Sequence, residues 1–198
     1  VAFGEHRRAA VARLLRSVLL DVAEAAALDP TDDRIDAAVL VPLYLRDGEL
    51  HAVFTKRRDD LRRHPGEISF PGGRQDDGET DLRLTALREA EEEIGLPADA
   101  VELVGALRPT PTVATNYAVH PFVGLIEPGH AWRPSAAEVA AVLEVALSAL
   151  RQAHRRQRVL RGGVALDADV YAVGDELIWG ATARMLGDLL ERVPESLG

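Results

Sequence analysis

The stretch from Gly73 to Leu96, GRQDDGETDLRLTALREAEEEIGL, constrains this chain more than any other part of it. Its second half predicts a helix over Thr80 to Ile94, with Gly95 as the stop and Pro97 just beyond. On such a helix Glu89, Glu92 and Glu93 fall at i, i+3 and i+4, so three carboxylates share one face. Like charges this close repel. A hard divalent cation, which prefers carboxylate oxygens, water and phosphate, relieves the repulsion. An acid-rich helix is more often a solvated face. Two neighbours favour the cation: Gly72-Gly73 permits a tight backbone approach just upstream, and Gly95 ends the helix two residues past the carboxylates.

Around this stretch the hydrophobic periods alternate between strand and helix. Val11, Leu14, Leu15, Val18, Leu19 and Val22 lie at helical spacing and predict one amphipathic helix over Glu5 to Leu28, ended by Asp29-Pro30. Ala37 to Leu45 and Leu50 to Thr55 read as strands around an Asp47-Gly48 turn. Further strands are expected at Glu67 to Phe70, Val101 to Leu107 and Val119 to Ile126. A hairpin is expected near Gln157 to Leu166 and a last helix over Ala181 to Val193. Ala136 to Leu150 fits either type, alanine favouring helix and Val139, Val142 and Val145 favouring strand. The expected architecture is one α/β domain over 35–198, with residues 1–34 added as a helical extension.

Composition narrows the function classes. With 198 residues the chain is long enough for a core without staples. Having no cysteine, it has no disulfide, thiolate metal site or cysteine nucleophile. A net charge of −9 argues against coating nucleic acid or an anionic membrane. The apolar runs are too short for a span or a signal h-region, so a cytoplasmic protein is expected. The six histidines show no zinc-protease spacing, and neither a nucleophile elbow nor a phosphate-binding glycine loop is present. The total hides opposed local charges: residues 56–64 carry five bases and two acids, whereas residues 88–93 carry one base and four acids.

The 73–96 stretch resembles the Nudix box. Gly73 and Glu79 match its first part, and Arg88-Glu89-Ala90-Glu91-Glu92-Glu93-Ile94-Gly95-Leu96 its second. One residue is extra, because eight residues, Thr80 to Leu87, separate Glu79 from Arg88 where seven are usual. The resemblance implies an α/β/α sandwich around a mixed sheet, with a loop–helix–loop whose glutamates hold Mg²⁺ or Mn²⁺ against a diphosphate. It assigns Glu89, Glu92 and Glu93 to metal binding, with a backbone carbonyl at Gly72 or Gly73 as a further ligand. Arg88 then orients a neighbouring carboxylate. The sequence leaves the base open: Glu92 or Glu93 through a metal-bound water, or alternatively Glu79, Glu67 or Glu138.

A second motif lies just upstream. Thr55, Arg57, Leu61, Arg62, His64, Gly66, Glu67, Ile68, Ser69, Phe70, Pro71, Gly72 and Gly73 look like the signature of the coenzyme A pyrophosphatase branch of the Nudix proteins. That resemblance implies cleavage of coenzyme A or a derivative to 3′,5′-ADP and 4′-phosphopantetheine. Arg57, Arg62, Arg63 and His64 would then meet the phosphate-bearing substrate. It also favours strand for the Val139–Val145 region and a helix beginning near Trp179-Gly180. The alternatives are a Nudix enzyme for ADP-ribose, NADH or a dinucleotide polyphosphate, and a non-catalytic nucleotide sensor. The expected partner is a small molecule only, and the sequence leaves the oligomeric state open. Arg151 to Arg161, five arginines without an acid, reads as a solvated or interface face or as a secondary phosphate contact.

Overall fold

The computed structural model describes residues 2–28, 33–61, 64–112, 116–161 and 164–198. Its centre is β1 (Ile35–Arg46), buried without interruption from Ala37 to Tyr44. A strand covered on both faces must be apolar on both, which is why this segment reads as a continuous apolar run. β1 pairs in parallel with β7 (Tyr117–Leu125) along Ile35↔Tyr117 to Leu43↔Leu125, and antiparallel with β2 (Glu49–Arg57) through the Asp47-Gly48 turn. β5 (Glu102–Ala106) and β6 (Thr110–Pro111) add antiparallel to β7. β8 (Val139–Ala146) and β3 (Ile68–Ser69) add to β2, and β4 (Gly72–Arg74) adds to the first half of β1. Among the described residues the result is a mixed eight-stranded sheet.

Each face of the sheet carries its own core. Ala38, Leu40 and Tyr44 of β1 pack with Ala86, Ala90 and Ile94 of α3 (Leu82–Ile94). Ala37, Val39, Val41 and Leu43 face the other way, toward Leu15 of α1 (Ala2–Val18), Leu150 of α4 (Leu147–Ala153) and Leu186 and Leu189 of α5 (Gly180–Arg192). The expected sandwich around a mixed sheet is therefore present. The N-terminal helix is part of it, since Val11, Ala12 and Leu15 are buried in this second core.

The single helix expected over Glu5 to Leu28 is two. α1 ends at Val18, and Leu20 bridges to Ala106 through both backbone hydrogen bonds, 3.1 and 2.8 Å. α2 (Val22–Ala27) then restarts under a capping box, Asp21 accepting from the Glu24 amide and Glu24 from the Asp21 amide. The ambiguous 136–150 region divides: β8 runs through Ala146, and α4 begins at Leu147. The last helix starts at Gly180, one residue before expectation.

A second, three-stranded antiparallel sheet follows, formed by β9 (His154–Arg161), β10 (Val164–Val173) and β11 (Glu176–Ile178). The arginine-rich stretch falls on α4 and β9. Arg151 donates to the carbonyls of Val193 and Gly198, while Arg156 and Arg158 lie across from Asp169 and Asp167 on β10. β9 is an edge strand, and exposed arginines on an edge oppose strand addition by neighbouring molecules.

Candidate active site

α3 starts under Asp81, whose side chain accepts from the Arg83 amide, and stops at Gly95 in the left-handed region at φ 70°. Two turns of this helix face β4. A Cβ at Gly73 would lie 2.5 Å from the Glu89 carboxyl, and one at Gly72 would collide with the Ala38 carbonyl of β1. At Gly72 only glycine admits this approach, and at Gly73 any side chain would displace the Glu89 carboxyl. The Gly72 amide donates to Glu93 at 3.2 Å, so the Gly-Gly strand and the glutamate helix are joined by hydrogen bond as well as by fit.

The three helix carboxylates are not equivalent. Glu93 is only 7% exposed, and burial pushes its carboxyl up to about 7, helped by the neighbouring charges of Glu89 and Glu138 and opposed by the Gly72 amide and Arg57. Glu89 is also raised, first by burial, although Arg88 donates to it at 2.8 Å. Glu92 is exposed and reaches Arg88 at 3.4 Å. Among the described residues no three acidic or histidine side chains converge into a ready-made metal cage. The donor set nonetheless fits a hard divalent cation. Glu89 and Glu93 are both raised first by desolvation, Glu89 further by the charges of Glu92 and Glu138 and Glu93 by those of Glu89 and Glu138, and they border a bare Gly-Gly backbone; a doubly positive ion would neutralise this excess of negative charge.

Arg88 organises the other end. It donates to Glu79 at 2.9 Å, to Glu89 at 2.8 Å and to the Arg74 carbonyl at 3.3 Å. Glu79 also accepts from the Thr85 hydroxyl at 2.7 Å and the Asp76 amide at 3.1 Å. The hydrogen bonds from Arg88 and then Thr85 hold its carboxyl down at about 2. The extra residue in the box therefore does not separate Glu79 from Arg88.

Beside the pair, Arg57 lies 3.4 Å from Glu138, and its charge lowers Glu93. Glu138 sits on a turn tied to the end of α3, where Arg133 donates to the Ile94 carbonyl at 3.0 Å and Ser135 to the Glu93 carbonyl at 2.8 Å. Sequence reasoning named Glu138 only as one alternative base. Its approach to Glu89 and Glu93 comes from this tertiary tie and left no mark in local spacing. His64 is bonded to Glu67 at 2.7 Å, while Arg62 and Arg63 lie outside the described residues. A cavity of about 700 Å³ lined by Arg108, Thr110, Tyr171, Arg184, Gly187 and Asp188, among others, shares no residue with this site.

The pattern of the NUDIX domain family matches residues 34–161, most of the chain. The protein is a member of the Nudix family. Among curated relatives, an uncharacterized Nudix hydrolase, NudL, from Escherichia coli O6:H1 is 38% identical over 164 residues, covering 77% of this chain and 80% of the relative. Its counterpart from Salmonella paratyphi B is 37% identical over the same coverage. The solved MutT/nudix family protein from Enterococcus faecalis superposes with a TM-score of 0.54 at 12% identity, over 81% of this chain and 61% of that one, which speaks to the fold alone. This Nudix protein is thus a hydrolase of a family that generally uses divalent metal ions. No helix among its described residues is long and apolar enough to cross a membrane.

Proposed function

We propose that this Nudix hydrolase cleaves the diphosphate of coenzyme A or a close derivative to 3′,5′-ADP and 4′-phosphopantetheine, with Mg²⁺ or Mn²⁺ as cofactor. The observation that carries the reading is the half-buried Glu89 and buried Glu93 against Gly72-Gly73, with a basic segment just upstream of that loop. Glu89, Glu92 and Glu93 would hold the cation, with the Gly73 carbonyl beside them. When bound, it supplies neutralisation of the diphosphate and activation of the attacking water. Arg88, through Glu89 and Glu79, fixes the orientation of the carboxylates. Arg57, together with Arg62, Arg63 and His64, meets the phosphate-bearing substrate, because forked guanidinium donors suit phosphate oxygens. Proton removal from the water falls to Glu92, Glu93 or Glu138, the carboxylates gathered around the pair. A cytoplasmic setting, where coenzyme A is a soluble metabolite, accords with this reading.

The test is direct. The protein is incubated with coenzyme A, ADP-ribose and NADH in the presence of Mg²⁺, and the products are identified by mass. Release of 3′,5′-ADP from coenzyme A in preference to cleavage of the other two supports the reading. No 3′,5′-ADP at any metal concentration overturns the substrate assignment.

A further inference from the structure

Three described residues other than glycine have a positive φ: Asp47, His64 and Asn116. Asp47 belongs to an Asp-Gly hairpin turn, and asparagine tolerates this conformation through its short polar side chain. His64, at φ 53°, has neither explanation. A non-glycine residue held there is strained and persists where the surroundings fix it.

The surroundings do fix it. On either side of it the amides of Leu61 and Gly66 both donate to the Arg58 carbonyl, and the Glu67 amide donates to the His64 carbonyl. Gly66 is itself left-handed, at φ 65°, with the Asp59 carboxylate packed against it. His64 Nδ1 meets Glu67 Oε2 at 2.7 Å, and both side chains are one-third exposed. Glu67 is in turn anchored to the site, because its carbonyl accepts from the Arg57 amide at 2.9 Å and the chain continues from it into β3 and the Gly72-Gly73 loop. His64 Nε2 makes no hydrogen bond among the described residues.

We infer that Glu67 is a positioning residue: it holds His64 by Nδ1 so that Nε2 is presented to a phosphate oxygen of the substrate. A carboxylate accepting from Nδ1–H fixes the orientation of the ring, and the doubly protonated imidazolium that an adjoining phosphate favours then donates its Nε2–H to the phosphate oxygen. The left-handed backbone at His64 is what brings the ring back over a carboxylate only three residues ahead. Glu67 touches no substrate in this arrangement. Its effect passes through His64, and it acts on binding of the phosphate rather than on the water. The inference rests on the proposed assignment of His64 to substrate.

The test separates positioning from folding and from chemistry. His64→Asn keeps a residue that accepts the left-handed turn while removing the ring. KM and kcat are measured for His64→Asn, Glu67→Ala, Glu67→Gln and the double variant His64→Asn/Glu67→Ala, on coenzyme A and on whichever of ADP-ribose or NADH is also hydrolysed. Thermal unfolding of each variant is followed alongside. Glu67→Ala is expected to raise KM roughly tenfold with kcat within twofold, the scale of one charge-assisted hydrogen bond. Glu67→Gln, which still offers an acceptor to Nδ1, should restore KM to within about threefold of the parent. In the His64→Asn background Glu67→Ala should add less than twofold, because both changes remove the same contact. A fall in kcat at unchanged KM, multiplying single effects, or a Gln variant as impaired as the Ala variant overturns the inference. Turnover of another diphosphate but not coenzyme A refutes the substrate reading alone, and the positioning role is then judged on that diphosphate. Hydrolysis of none of the three overturns both.

Discussion

Glu79 and Glu93 belong to one motif and meet opposite environments. Glu79 receives an arginine, a hydroxyl and a backbone amide, and its carboxyl is held down at about 2. Glu93 receives one backbone amide, is almost wholly buried, and its carboxyl is pushed up to about 7. The first end of the motif is complete without any added group. The second is a deficit of positive charge built into the fold. Stability is concentrated where the carboxylate is satisfied and function where it is not, the usual trade between a strained site and its scaffold.

The largest effect expected from breaking this contrast is at Glu93. Glu93→Gln should lower kcat by roughly 10³-fold, within the range for losing a carboxylate of this kind, and steady-state kinetics at saturating Mg²⁺ measures it. The same change should stabilise the metal-free protein. A carboxyl whose folded pKa is raised destabilises by ionising: the penalty is absent below about 4.5, grows as pH rises, and is complete above about 7. In chelator, Glu93→Gln should therefore melt a few degrees above the parent at pH 8 and level with it near pH 4. A variant that is less stable at both would show that Glu93 is satisfied in the free protein.

Next in size is Gly73→Ala. The added methyl falls on the Glu89 carboxyl, 2.5 Å away, so that carboxylate must swing out of its place beside the loop. Activity should drop at least tenfold and the midpoint for Mg²⁺ activation should rise, since displacing the support of a ligand typically costs 10–100-fold. Glu79→Gln comes third, with a loss of about tenfold through the loosened Arg88. Its signature is thermodynamic and opposite to that of Glu93. A carboxyl with a lowered folded pKa contributes stability that is whole above about 4.5 and is lost as pH falls toward about 2. The parent's advantage in Tm over Glu79→Gln should hence shrink across that window, and an advantage independent of pH would contradict the contrast. Smallest of all is Leu84→Gln on the outer face of the same helix. Leu84 is 59% exposed, so stability should stay within about 0.5 kcal/mol and kinetics should not change.

Much of this was legible in the residues themselves. The apolar run of β1 and the Glu89, Glu92, Glu93 spacing before Gly95 are local signals, and the fold follows them. The break between α1 and α2 was also written locally, as Asp21 and Glu24 at capping-box spacing, but apolar residues on both sides continue the helical period and mask it. The strand character of Gly72–Arg74 was invisible for a different reason: Pro-Gly-Gly carries a turn composition, and only pairing to Ala37–Val39 makes it a strand. Spacing placed three carboxylates on one face; burial then divided them into an inward pair and an exposed Glu92, a distinction set by β4 rather than by the helix.

The connection between β7 and β8 is stapled to the last carbonyls of α3 at three successive residues: Ser135 to Glu93, Arg133 to Ile94 and the His130 ring to Gly95. Most surface loops tolerate added or deleted residues, because their length is not measured against anything. This one is measured against a helix end. A residue inserted between Gly129 and Ser135 would shift the register of those contacts and carry Glu138 away from the carboxylates it faces. The loop's length is consequently as much a part of the site as any side chain, and lineages that vary it would have to re-set the helix end at the same time.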